Sequence, residues 1–181
     1  NSGDIWELED RTNIVMPVHV RGLIAQRLQR VPDEARNALA GHPEILHAGF
    51  VHDAEKEVAE ARITFALTTG ADVPSHLEMG LSPAAYAKGM AEAIGELRRH
   101  ILDLMRQNEL KRCEELLASM DEIYFLLTSM DYPDAVTHGL RRLTDVARSI
   151  IERTRGDFTT STVQKELRDA LEAHASRMER S

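Results

Sequence analysis

The sequence predicts an all-α fold, a single-domain antiparallel bundle of about six to seven helices. Three observations carry this. Apolar residues recur every three or four positions through most of the 181 residues, and no stretch alternates with the two-residue period of a half-buried strand. Aromatic residues make up only 4% of the chain, whereas strands favour aromatic and β-branched side chains. The 10 Gly and 6 Pro are too few for a loop-dominated chain, and 43% hydrophobic residues suffice for one core at this length.

Ile5, Trp6 and Leu8 begin an apolar pattern that Ile14, Val15, Val18, Leu23 and Leu28 continue. Pro17 and Gly22 interrupt it, which predicts a bent helix or two short ones. Pro32-Asp33-Glu34 has the proline and acids of a first helical turn, and Gly41-His42-Pro43 ends that segment. From Pro43 to about Thr68 the stripe Leu46, Phe50, Ala54, Val58, Ala61 and Phe65 predicts one long helix. Thr69 to Pro74 reads as a loop. Ser82-Pro83 opens the next helix, with Ser as N-cap and Pro as first helical residue; its stripe is Tyr86, Met90, Ile94, Leu97, Ile101 and Met105. Asn108 marks a break. Leu110, Cys113, Leu117, Met120, Tyr124 and Leu127 form a further stripe, stopped by Asp131-Tyr132-Pro133. Leu140, Leu143, Ala147 and Ile150 mark a helix from about Asp134 to Arg155, which Gly156-Asp157 is expected to close as a glycine cap. Thr160 or Ser161 then caps a last helix carrying Val163, Leu167, Ala170, Leu171 and Ala175.

The formal net charge is −8, which argues against a general nucleic-acid binder of the basic type. The distribution is uneven, since Arg141, Arg142, Arg148, Arg153 and Arg155 crowd one segment. No apolar run is long enough to span a bilayer, and the opening Asn1-Ser2-Gly3-Asp4 has neither the basic start nor the apolar stretch of a signal peptide. The single cysteine, Cys113, excludes an intramolecular disulfide and a Cys-based zinc cluster, and its place on an apolar stripe reads as packing. The histidines show no His-x-x-x-His pair that would favour zinc. A cytoplasmic protein without membrane partners is expected.

Two acid pairs stand out. Glu57 and Glu60 are spaced i, i+3, and Glu92 and Glu96 are spaced i, i+4, so each pair shares one helical face. Such carboxylates repel one another, and a hard divalent cation would reverse the sign. If the two helices pack together, four carboxylates converge. None of the four is forced into the apolar core by its helical angle. On spacing alone a solvated helical face is the better explanation of the pairs, because a chain with 30 acidic residues yields some by chance.

Three segments resemble the translin family, and within it the archaeal proteins similar to TRAX, the translin-associated factor X. His47-Ala48-Gly49-Phe50-Val51 through Lys56-Glu57-Val58-Ala59-Glu60-Ala61 is similar to the TRAX stretch Gln-Glu-Tyr-Val-Glu-Ala. Ser82-Pro83-Ala84-Ala85-Tyr86 through Gly89-Met90-Ala91-Glu92-Ala93-Ile94-Gly95-Glu96-Leu97 follows the family's Pro-x-x-Tyr-x-x-Gly-x-x-(Asp/Glu)-x-x-Gly-Glu-Leu helix. Asp131-Tyr132-Pro133-Asp134-Ala135 through Gly139-Leu140-Arg141-Arg142, Asp145-Val146-Ala147-Arg148 and Glu152-Arg153-Thr154-Arg155-Gly156-Asp157 is similar to the archaeal members' carboxy-terminal region. The likeness spans 43–160 of a single translin-like domain over 1–181; residues 1–42 match poorly, and 161–181 form the C-terminal helix.

The resemblance implies a metal-dependent endoribonuclease. It places the catalytic, metal-holding acids on Glu57, Glu60, Glu92 and Glu96, with Mg²⁺ or Mn²⁺ as cofactor. The third position is usually Asp in TRAX, so Glu92 carries the carboxylate one C–C bond further out. Family members assemble into hollow shells with inward-facing sites, and archaeal ones form from one kind of subunit, so a homo-octamer is expected. RNA, with single-stranded DNA as a further ligand, is the implied partner. The region around the Glu57 helix faces nucleic acid in the family, which nominates His47 and Lys56; charge alone adds Arg98, Arg99, Arg141 and Arg142. The plain alternative for each basic residue is a surface ion pair, and for His47 a buried, hydrogen-bonded ring. Phosphate contacts predict binding that weakens steeply with salt. Translin itself binds RNA and DNA without the full acidic set, so a non-catalytic binding shell is the runner-up, and a purely structural helical oligomer is the third reading. An acyl-transfer enzyme is disfavoured, because Cys113 lies mid-helix and no Gly-x-Ser-x-Gly elbow is present.

Overall fold

The computed structural model describes residues 49–130 and 139–178, residue 50 by its backbone only. Four helices make up this part: α1 (Gly49–Thr69), α2 (Pro83–Arg106), α3 (Leu110–Ser129) and α4 (Leu140–Met178). The all-α class is as expected. The predicted helices before residue 43, Leu46, His47, the Phe50 side chain and the Asp131-Tyr132-Pro133 stop lie outside the described residues.

Helix α2 sits at the centre and packs against the other three. Ser82 caps it, accepting the Ala85 N–H, and Pro83 takes the first helical position. Met90, Ile94, Leu97 and Ile101 of its predicted stripe are buried, and Cys113, Leu117, Met120 and Leu127 of α3 meet them in one core. Asn108 ends α2 in the left-handed region, at φ 63°, a conformation that Asn tolerates better than most residues. The chain then turns back directly into α3, so α2 and α3 are antiparallel neighbours.

Helices α1 and α2 depart from the antiparallel expectation. Ser82, at the start of α2, donates to Glu55 in the early part of α1 at 2.7 Å. Arg112, in the first turn of α3 just past the end of α2, donates to the Leu67 carbonyl in the last turns of α1. The two helices therefore run in the same general direction. The connection over residues 70–82 must return along them, and its reach of about 40 Å exceeds the roughly 32 Å length of α1. Tyr86 donates to the Pro74 carbonyl at 3.0 Å, holding that connection to the start of α2.

Two further expectations are corrected. The face that α1 gives to the core is only in part its predicted stripe: Ala61 is buried, at 3% exposure. Ala59 and Ile63 are in the core, while Ala54, Val58 and Phe65 are only half-buried. Small residues face inward there because α2 approaches very closely. The second correction concerns Gly156, which does not close a helix: α4 continues unbroken from Leu140 to Met178, so the segment after 160 is not a separate helix. A glycine inside a helix costs only about 1 kcal/mol relative to alanine, and the flanking hydroxyls do not act as caps. Thr154, Thr159, Thr160 and Thr162 each donate back to the carbonyl four residues earlier. The later part of α4 leaves Val163, Leu167, Leu171 and Met178 exposed.

Side chains lock the bundle at its seams. Arg98 on α2 donates to Thr154 at 3.1 Å and to Asp157 at 2.8 Å on α4. Arg155 on α4 reaches both oxygens of Asp121 on α3 at 2.8 Å. Cys113 packs as expected. Its thiol donates to the Ile101 carbonyl at 3.6 Å, and burial pushes its pKa up to about 11, leaving it unreactive.

His100 is buried on α2 with neither ring nitrogen hydrogen-bonded. Burial first, and then the nearby Arg112 charge, hold its pKa below the ordinary value, with Asp103 opposing. The unfolded chain thus binds the His100 proton at higher pH than the folded one. Stability is fully present above about pH 6.5 and falls as pH drops from there to the depressed folded value. Denaturant titrations across that window should give a shallower loss for His100→Leu than for the wild type; equal losses would exclude His100 as the source.

Candidate metal centre

The close approach of α1 and α2 comes from two small residues. Gly89 of α2 lies against Ala59 of α1, and a Cβ built on Gly89 would stand 2.5 Å from the Ala59 Cβ, 2.8 Å from the Lys56 carbonyl oxygen and 2.9 Å from the Glu60 nitrogen. No side chain fits between the two backbones. The charged residues flank this crossing: Lys56, Glu57 and Glu60 on α1, and Glu92 one turn beyond Gly89 on α2.

Across the crossing, Glu57, Glu60 and Glu92 each offer a carboxylate oxygen, and the three oxygens lie within 4.8 Å of one another. This is the one such acidic group among the described residues. Its three donors are all hard oxygens, with no sulfur or imidazole. Glu60 is buried, at 5% exposure, more deeply than its helical angle implied, because the crossing itself covers it. Glu57 and Glu92 remain about one-third open, with side chains 34% and 29% exposed. Glu96, the fourth sequence candidate, lies one turn further along α2 and is not in the group; its carboxylate pairs with Arg99 at 3.2 Å.

Lys56 reaches into the same place. Its Nζ lies 3.0 Å from Glu92 Oε1, 2.8 Å from Glu92 Oε2 and 3.5 Å from Glu57 Oε1, with the side chain 17% exposed. Burial works to lower its pKa, and the two carboxylates outweigh that and leave it raised.

The other sequence candidates are dispersed in role. Arg98 is committed to the α2–α4 seam and Arg99 to Glu96. Arg141 and Arg142 are exposed at the start of α4, and His47 lies outside the described residues. Sequence reasoning missed the Gly89–Ala59 crossing as the element that assembles the group. Gly89 within Gly-x-x-Glu was the available signal, since a glycine inside an otherwise strong helix marks a close backbone approach.

No family model matches the chain. An uncharacterized protein of Methanocaldococcus jannaschii is 33% identical over 136 residues, 75% of this chain and 60% of that protein, so the chain spans 60% of the length of the curated relative it matches. Among solved structures, the chain is similar to AfC3PO in its crystal structure, at 32% identity and TM-score 0.66 over 81% of this chain and 84% of that one. The structure of the AfC3PO–duplex RNA complex matches at 31% identity and TM-score 0.62, over 81% and 83% of the two chains. Apo-NeC3PO, at 17% identity and TM-score 0.63 over 78% and 81%, shares the fold.

Proposed function

The chain belongs to the translin family, the C3PO proteins, and from that premise we propose that it is a Mg²⁺- or Mn²⁺-dependent endoribonuclease, working inside a homo-octameric shell. The observation that carries the reading is the convergence of Glu57, Glu60 and Glu92 from two helices. RNA as substrate is supported by AfC3PO, which has been solved with duplex RNA.

The donor set suits such an ion. Mg²⁺ takes oxygen ligands at about 2.1 Å, so two oxygens on one ion lie at most about 4.2 Å apart, and the 4.8 Å span of the group needs only a small side-chain adjustment. When bound, the ion polarises a phosphoryl oxygen and makes a water a competent nucleophile near neutral pH. Glu60, buried at the crossing, serves as the rigid anchor. Glu57 and Glu92, on the open side, hold the ion where a strand can reach it. Glu96 extends the acidic set along α2. Lys56, Arg98, Arg99, Arg141, Arg142 and His47 are the proposed cations toward the phosphates, with Arg99, Arg141 and Arg142 the most exposed of those described.

Cleavage of end-labelled single-stranded and duplex RNA tests this. Wild type should cut only with Mg²⁺ or Mn²⁺, and Glu57→Gln and Glu92→Gln should each be about 100-fold slower; wild-type rates in either variant remove the site. A second reading, an RNA-binding shell without catalysis, is favoured by the ammonium of Lys56, which already offsets the acidic charge without a metal. Under that reading filters retain RNA, in a salt-sensitive way, and the RNA stays intact at every metal concentration.

A further inference from the structure

Resting on the metal-site reading above, we propose that Lys56 is the resident counter-cation of the acidic group, bridging Glu92 and Glu57 until a divalent ion displaces it, so that Lys56 sets the affinity of the site.

The geometry carries the step. Both Glu92 oxygens lie within hydrogen-bonding distance of the Lys56 ammonium, and Glu57 within ion-pair distance. An ion that takes either Glu92 oxygen must share it with the ammonium already on it, and an ammonium, having no lone pair, cannot become a ligand. Two positive centres sharing one partly buried carboxylate also repel each other more strongly than they would in water. The Lys56 backbone cannot give way, because its carbonyl abuts Gly89 at the crossing. Exchange is therefore confined to rotation of the four-carbon stem, which swings the ammonium toward solvent or toward a phosphate of the incoming strand. Arg99 differs: it holds Glu96, which lies outside the converging group.

The test is Mn²⁺ binding to the full chain without RNA, by calorimetric titration and by the resonance signal of free Mn²⁺. Lys56→Met and Lys56→Gln should bind Mn²⁺ about tenfold more tightly than wild type, because a competing positive charge is gone, and Lys56→Arg, which keeps the cation, should show no such gain. Tighter binding in both neutral variants with wild-type affinity in Lys56→Arg supports the proposal. Affinity equal to or weaker than wild type in Lys56→Gln overturns it, and so does a gain shared by Lys56→Arg. If Lys56→Met melts without a cooperative transition, Lys56→Gln alone decides. Glu60→Gln separates this inference from its premise. Wild-type Mn²⁺ binding that Glu60→Gln abolishes keeps the metal site whatever Lys56 does, whereas binding in neither wild type nor Lys56→Gln overturns both.

Discussion

Gly89→Ala is expected to lower the melting temperature by about 6–12 °C. The added Cβ would meet the Ala59 Cβ at 2.5 Å and two backbone atoms of α1 below 3 Å. Backbone cannot rotate aside as a flexible side chain can, so the helices must part. Overpacking of this kind costs about 1–3 kcal/mol, the upper figure where backbone is hit, and each kcal/mol is worth about 2–4 °C in a chain of this length. Parting the helices also moves Glu92 away from Glu57 and Glu60, so the metal response should go with the stability. Gly95, two turns along the same helix, is the control, because a Cβ there meets nothing within 4 Å. Gly95→Ala should be stabilising by about 0.5–1 kcal/mol through helix propensity alone. Thermal melts of the two variants side by side decide the matter. Equal melting temperatures would mean that the crossing tolerates a methyl group and does not fix the spacing of the carboxylates.

This contrast also explains what could be read from the sequence. Periodicity reports which residues of one helix share a face, and for α2 and α3 that was enough: Ile94, Leu97, Ile101, Cys113 and Met120 are buried as their spacing predicts. The start at Ser82-Pro83 and the break at Asn108 were legible because a cap and a left-handed residue act locally. Periodicity does not report how two helices are rotated against each other. On α1 the spacing of Ala54, Val58, Ala61 and Phe65 pointed to one face, of which Ala61 is buried, whereas the partner helix meets Ala59 and Ile63, since α2 approaches over the small Ala59. At Gly156 a local stop signal was overridden because the helix loses little by carrying a glycine. The direction of α1 relative to α2 was hidden for a related reason, as residues 70–82 are long enough to permit either sense. For the candidate site, spacing exposed the two acid pairs but not their meeting, and the family resemblance supplied that expectation. Neither source indicated that Lys56 reaches across to Glu92, because a long side chain chooses its partner only after the helices are placed.

Glu60→Gln is expected to abolish stabilisation by divalent ions. A ligand that binds the folded chain alone, at about 100 times its dissociation constant, stabilises it by about 2.7 kcal/mol. For a chain of this length that is a rise of about 5–11 °C in melting temperature between chelator and saturating Mn²⁺. Glu60 is the choice for this test because it is the buried member of the group, at 5% exposure, and has the least freedom to be replaced by a neighbour or by water. Comparing the rise within each variant removes whatever Glu60 contributes to the metal-free fold. The rise in Glu60→Gln should shrink to less than about 2 °C, while Glu114→Gln, on an exposed face of α3, should keep the wild-type value. The physical basis is that metal affinity here depends on charge brought together by packing: two carboxylates on α1 and one on α2 converge, and Lys56 offsets part of their charge, so losing the innermost removes both the strongest anchor and a full unit of attraction for the ion. An undiminished rise in Glu60→Gln would place the ion elsewhere on the protein, and with it the chemistry proposed for this crossing.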